Sequence, residues 1–416
     1  RSSAASDVYK RQTYTTVGEI VAWVIGWDLI LEMLMAGSVV SKYWGVYLNQ
    51  FFELIGWNIN TNIAIGSFNF DLAPVIIVAF FTALLVMGTK IGARVDGALT
   101  ILKIAIVVFI VVVGFFYIKA ENFTPFIPPS EPAASTDGSG VSAVMEQPLW
   151  QWATGMAPSI YGVTGIISGA ALVFFAFLGF DVVATASEET INPKKNVPLG
   201  IGVGLGLIIV LYTLVAIVTT GMVSYKDLAK QSDPSLAVAF KMVGADWAAK
   251  IISLGIVIGM ATVVMVLLLG LTRVVFAMSR DGLLPRGLSH TGKHGTPVRL
   301  QIIVGVVMAL IAACCNVGIL SDMVNIGTLS AFTLVAISIP IMRKKRPDLE
   351  RSFKIPGNPW VPILIALANL WLMVNLSVLT WIRFVVWLIV GFAIYFGYGY
   401  RHARLGAGEL EVAAQE

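Results

Sequence analysis

Apolar runs of about 20 residues recur along this chain, each long enough to cross roughly 30 Å of hydrocarbon, and short polar intervals marked by glycine and proline divide them. The pattern predicts ten membrane-spanning helices, over 18–48, 72–89, 94–117, 160–186, 198–221, 251–277, 297–316, 321–342, 360–380 and 382–401. The first is long enough to be tilted. Between the spans, residues 119–159 are rich in Pro, Ser, Ala and Gly and read as an exposed, partly flexible loop. Asp233-Pro234 predicts a short surface helix with Asp233 as its cap and Pro234 in its first turn. Residues 280–294 are polar and turn-rich.

Composition fits this pattern. The 416 residues are 57% hydrophobic and 12% charged, about half the charged fraction of soluble domains. Basic residues are distributed unevenly between the two sets of loops. One set, with the C-terminal segment, holds seventeen: Lys90, Arg94, Lys194, Lys195, Arg273, Arg280, Arg286, Lys293, Arg299, Arg343, Lys344, Lys345, Arg346, Arg351, Lys354, Arg401 and Arg404. The other holds six: Lys119, Lys226, Lys230, Lys241, Lys250 and Arg383. The positive-inside rule places the first set and both termini in the cytoplasm, and this loop bias explains the net charge of +4 without nucleic-acid binding. The adjacent Cys314 and Cys315 read as two buried small hydrophobes. Residues 1–12 are polar, lack the apolar core of a signal peptide, and read as a foreign segment or an ordinary disordered tail.

The candidate chemistry is confined to a few polar groups inside spans. Glu32 and Asp28 share a face of the first span, one turn apart. Lys103 lies about ten residues into its own span, where an ammonium needs a partner and suits proton carriage or the mimicry of a bound cation. A static pair of Lys103 with an acid is the plainer alternative. Lys42, nearer a helix end, is expected to snorkel outward. Asp181 follows an aromatic, glycine-containing run, FFAFLGFDVVATASEETINPKKNVP over 174–198. A span that only crossed lipid has little use for that aspartate, so the segment reads as a half-broken helix of a secondary transporter. On the cytoplasmic side, Arg273 and Arg280 with Glu188 and Glu189 could form a gate of ion pairs. His290 and His294 stand four apart, but the intervening glycine argues against a metal site. Neither a phosphate-binding loop nor a nucleophile elbow occurs, which argues against ATP-driven pumping and hydrolysis.

Three segments, TYTTVGEIVAWVIGWDLILEM, FFAFLGFDVVATASEETINPKKNVP and RVVFAMSRDGLLP, resemble the amino acid–polyamine–organocation superfamily, in particular bacterial relatives of the cationic amino acid transporters. The resemblance implies an all-α polytopic fold of two inverted five-helix repeats, as in LeuT, with two extra C-terminal helices. It also implies that the first two helices of the family are missing here. The expected divisions are 13–117 for the remainder of the first repeat, 118–159 for an external loop, 160–342 for the second repeat, 343–401 for the last two helices and 402–416 for a cytoplasmic tail.

On this resemblance, Phe174, Phe175, Ala176, Phe177, Leu178 and Gly179 would bind the substrate, the backbone carbonyls taking its amino group and the aromatics forming a lid. Glu32 would lie near the side-chain end of the pocket, Lys103 would take the place of a sodium ion, and Asp181 would belong to the polar interior. The implied activity is proton-coupled import of small neutral or cationic amino acids across the cytoplasmic membrane. No cofactor beyond the proton gradient, no nucleic acid and no disulfide-linked partner subunit is implied. Exchange, and a non-transporting sensor or partner subunit, are the alternative readings.

Overall fold

The computed structural model describes residues 19–57, 59, 61–65, 68–88, 93–132, 141–157, 159–179, 192–231, 234–290, 297–345, 347 and 357–402. The principal helices are α1 (Glu19–Leu54), α2 (Leu72–Val86), α3 (Ala93–Phe115), α4 (Val141–Glu146), α5 (Leu149–Thr154), α6 (Gly162–Val173), α7 (Pro193–Met222), α8 (Tyr225–Ala229), α9 (Leu236–Met242), α10 (Asp246–Arg280), α11 (Val298–Cys314), α12 (Val317–Lys345), α13 (Trp360–Val374) and α14 (Val378–Ile394). A helix stands at each of the ten expected spans. Six are long and apolar enough to cross a membrane, and four shorter apolar helices, containing α2, α6, α11 and α13, fill the other positions. The protein is a predominantly α-helical, polytopic membrane protein.

The packing centre is α1, which lies against α2, α10, α11, α12 and α14. Lipid tails are as apolar as leucine, so helices in a bilayer associate through close packing, and small residues permit it. Gly37 lies under Met308, and Gly391 of α14 lies under the Trp27 indole. A Cβ at Gly270 would stand 2.9 Å from Met33 Sδ, and one at Gly327 would stand 3.0 Å from Leu31 Cδ2. Trp27 stacks on Trp387 at 4.4 Å and on Trp23 at 5.7 Å, and its Nε1 donates to the Trp387 carbonyl at 2.9 Å. A second cluster joins α3, α7, α9 and α10 around Ile110, Phe240 and Ile252.

Several expectations are corrected. Residues 119–132, 141–157 and 159 are more structured than their composition suggested. A 3-10 turn (Ala120–Phe123), β3 (Glu131–Pro132), α4 and α5 occupy them, and β3 pairs antiparallel with β4 (Ser159–Ile160). β1 (Asn62–Ile65) and β2 (Phe68–Asp71) form a separate hairpin. The short helix α9 is present, but its cap is Ser235, whose hydroxyl accepts from the Val238 N–H at 3.2 Å. Its Ala237, Ala239 and Phe240 are buried while Lys241 and Met242 are exposed, so one face packs on the bundle and the other is open.

Lys42 does not snorkel outward. α1 continues to Leu54, and the ammonium donates to the Ala312 carbonyl at 3.1 Å, in the last turn of α11 where helix-end carbonyls concentrate negative charge. Cys314 is exposed and Cys315 half-buried, both as free thiols, because α11 ends at Cys314 and places them at the bundle's edge.

Candidate functional site

The break predicted from the aromatic, glycine-containing run is present. α6 ends at Val173, and Phe174–Phe177 tighten into a 3-10 turn. Leu178 is then extended, and Gly179 has φ +107, a conformation that favours glycine. Leu178 N–H still donates to the Phe175 carbonyl at 3.2 Å. Phe174, Phe175, Phe177, Leu178 and Gly179 are half-buried and Ala176 is exposed.

Neighbouring helices hold this segment through groups that hydrophobic patterning did not single out. Tyr212 on α7 donates its hydroxyl to the Ala176 carbonyl at 2.9 Å, and its ring meets Phe177 edge-on at 5.4 Å. Asn325 on α12 donates to the Leu172 carbonyl at 3.0 Å. Phe332, also on α12, meets the Phe174 ring at 6.1 Å. Asn325 is fully buried, and its Oδ1 has no hydrogen-bond partner among the described residues. A lone asparagine in an apolar run was the available sequence signal. Tyr212 carried none, since aromatic residues are common in such spans. The Ala176 carbonyl keeps a second lone pair, so the tyrosine does not exclude another donor.

Glu32 and Asp28 are both buried on α1. Adjacent Leu31 packs into a cluster with Ala171, Ile326 and Leu329, which Phe174 also touches. Through these contacts α12 forms a wall shared by the acidic turn of α1 and the broken helix. Two carboxylates one turn apart, about 6 Å, repel by about 3 kcal/mol at an effective dielectric of 20.

Lys103 is the eleventh residue of α3. Its stem runs over Gly259 of α10, where a Cβ would stand 3.2 Å from Lys103 Cγ. Met33, next to Glu32, meets α10 at Gly270. Those two glycines are eleven residues apart on one helix, about 16 Å along its axis.

Asp181, Glu188 and Glu189 lie outside the described residues. The basic half of the expected gate is described. Arg273 is exposed, and Arg280 Nε lies 3.7 Å from the neighbouring Asp281 carboxylate. The Asp281-Gly282 turn has a clear structural role. Gly282 at φ +80 closes α10 with hydrogen bonds from Gly282 N–H to the Ser279 carbonyl and from Leu283 N–H to the Met278 carbonyl, a Schellman pattern. It turns Leu283 and Leu284 into the core beside Tyr395. Among the described residues no group of three or more His, Cys, Asp or Glu could hold a metal.

The long and short apolar helices are those of a polytopic membrane protein, in which α6 gives way to the 3-10 turn at Phe174–Phe177. Residues 3–397 match the model of the Amino acid permease family, and the chain belongs to that family, which transports and does not catalyse. It is 40% identical to the branched-chain amino acid permease BcaP of Bacillus subtilis (strain 168) over 403 residues, 94% of this chain and 79% of the relative. It is 39% identical to the methylthioribose transporter of the same organism, over 94% of this chain and 79% of that protein. It is 34% identical to the mitochondrial cationic amino acid transporter 3 of Arabidopsis thaliana, over 84% of this chain and 54% of that protein.

Proposed function

We propose that the chain is a proton-coupled symporter that imports small neutral or cationic amino acids across the cytoplasmic membrane, with both termini on the cytoplasmic side. The break of α6 at Phe174–Gly179 carries this reading, because an unwound mid-span segment offers free peptide groups to a zwitterion. The half-buried rings of Phe174, Phe175 and Phe177 supply a pocket wall, with Ala176, Leu178 and Gly179 presenting backbone to the amino group. Glu32 favours a basic side chain, and the names of the relatives point both to branched-chain and to cationic amino acids. We assign proton coupling to Lys103 and Asp181, and a cytoplasmic gate to Arg273, Arg280, Glu188 and Glu189. The fold is read as the inverted five-helix repeat of LeuT with two additional C-terminal helices.

Uptake of labelled alanine, leucine and arginine into proteoliposomes, with and without an inward proton gradient, tests the function. The chain as given is compared with one extended at its N-terminus by two apolar helices. Gradient-driven uptake that Lys103→Ala abolishes supports symport. Uptake that needs internal substrate, whatever the gradient, indicates exchange instead, and neither uptake nor substrate binding in either form overturns transport.

A further inference from the structure

We propose that the turn joining α13 to α14 is the mount of α6: the first half of the broken helix stays latched to that hairpin as one body, and movement is taken up at the break. The segment leading into α6 is hydrogen-bonded to this turn. Leu149 N–H donates to the Leu376 carbonyl at 3.0 Å, and Val378 N–H donates to the Gln147 carbonyl at 3.1 Å, so Pro148 and Ser377 form an antiparallel bridge. Trp150 Nε1 donates to Asn375 Oδ1 at 2.8 Å, and Asn375 Nδ2 donates to the Trp371 carbonyl at 2.7 Å. Gln147, Gln151, Asn375, Leu376 and Val378 are buried, so these bonds form where water competes little.

The latch continues to the root of α6. Gly155, at φ +70, ends α5, and Met156 N–H returns to the Gln151 carbonyl at 3.0 Å. Gln151 Nε2 donates to Ser159 Oγ at 3.2 Å, in β4, which pairs with β3. Next along the chain, Tyr161 has φ +61 and ψ −164, and Gly162 has φ +62. The tyrosine's conformation is essentially reserved for glycine, and a side chain persists there only where its surroundings over-determine the backbone. The Tyr161 ring meets Tyr225 at 5.3 Å, and a Cβ on Gly162 would stand 3.1 Å from Ser130 Cβ. The sharp entry into α6 is held by these neighbours and by the latch.

The same turn reaches the other end of α6. Thr380, in the first turn of α14, donates to Asp322 Oδ2 of α12 at 2.9 Å. Asn325, about one turn further along α12, donates to the Leu172 carbonyl at 3.0 Å. α6 itself packs on α13. Both ends of this twelve-residue helix are thus referred to one hairpin, whereas beyond Val173 the chain passes through the 3-10 turn to Gly179 at φ +107. That the latch stays closed during substrate carriage rests on the transporter reading above, whereas the mount does not.

Hydrogen exchange of the full chain in lipid nanodiscs tests the mount, for the wild type and Asn375→Ala. The probes are Leu149 and Val378 in the latch and Gly165 in α6, whose N–H donates to the Tyr161 carbonyl. The expected result is exchange about tenfold faster at all three, with α10 unchanged. Faster exchange at Leu149 and Val378 with Gly165 unaltered overturns the mount. Should Asn375→Ala fail to fold, Trp150→Phe, which removes the indole donor, is read in the same way. A disulfide tests the closed latch. Pro148 and Ser377 are a pair of the non-hydrogen-bonded kind, with Cα atoms about 4.5 Å apart, within the range a disulfide spans. Pro148→Cys with Ser377→Cys, together with Cys314→Ser and Cys315→Ser, is compared oxidised and reduced for uptake of labelled leucine. Uptake unchanged by oxidation supports one body, and uptake lost on oxidation and restored by reductant overturns it. The expected exchange together with no uptake by the wild type would retain the mount and defeat the transporter reading.

Discussion

Helices α1 and α7 are both long spans, yet they occupy opposite environments. Of the most apolar window in each, 72% is buried inside the bundle for α1 and 6% for α7, although α7 is the more apolar of the two. In water the more apolar helix would be the inner one. In a bilayer the outer face meets hydrocarbon, so the interior can hold the polar and small residues that fix packing. Accordingly Asp28, Glu32, Ser38 and Ser41 of α1 are buried, whereas Gly200, Gly202, Gly204 and Gly206 of α7 have open space where a side chain would go. The broken segment of α6 lies between these regimes, held by α12 on one side and by Tyr212 of α7 on the other.

The largest effect that would sharpen this contrast comes from truncating one leucine in each environment. Leu31 is 0% exposed and Leu207 is 47% exposed. Leu31→Ala is expected to cost about 2–5 kcal/mol through lost contacts and the cavity left behind, and Leu207→Ala within about 0.5 kcal/mol. Reversible unfolding in mixed micelles measures both, and equal costs would break the comparison. Next in size are two glycines for which opposite signs are expected. A Cβ at Gly391 would enter the Trp27 indole, so Gly391→Ala is expected to cost about 1–3 kcal/mol by overpacking. Gly202→Ala meets open space within α7 and is expected to gain about 0.5–1 kcal/mol from helix propensity.

These pairs also show what could be read from sequence. The positions of the ten apolar helices were legible because spanning hydrocarbon imposes length and hydropathy on a segment locally, although four of them are shorter than a full span. The break was legible because an aromatic run passing through Gly179 into Asp181 is poor design for a simple anchor. Which spans are central was not legible, since hydropathy does not distinguish a lipid neighbour from a protein one. The same blindness hid Lys42 on the Ala312 carbonyl, Tyr212 on the Ala176 carbonyl and Asn325 on the Leu172 carbonyl. Each is a contact between residues distant in sequence, and nothing in the local pattern records the partner. The Ser235 cap was missed for a different reason, because Asp233-Pro234 was the stronger local signal and the chain starts its helix two residues later.

A smaller effect is expected at the boundary itself. Tyr212→Phe keeps the ring contact with Phe177 and removes one hydrogen bond to the Ala176 carbonyl, a loss of about 0.5–1.5 kcal/mol. Because the bond joins the broken segment to the exposed helix, the loss should appear locally. Amide exchange at Leu178, whose N–H closes the 3-10 turn, is expected to quicken by up to about tenfold, with exchange in α1 unchanged. Exchange that quickened equally in both helices would place Tyr212 in the global packing and erase the distinction between the two regimes.

The smallest expected effect lies outside the membrane, at Lys226 and Glu131, 2.7 Å apart with both side chains well exposed. The pair joins β3 to α8, and Lys226 also stands 5.6 Å over the Tyr161 ring. The hydrogen bond to Glu131 raises the lysine above its ordinary value of 10.5. A raised lysine contributes stability that is fully present below its unfolded value and is lost as pH rises through the folded one. The contribution is therefore constant through neutral pH and declines only in strongly alkaline buffer. Solvent screening keeps it small, and salt reduces it further. Lys226→Met is expected to change unfolding near neutral pH by little more than experimental error, and by still less in high salt. A large loss at neutral pH that salt does not diminish would mean that this external contact bears on the bundle, and that the packed core around α1 does not account for its stability alone.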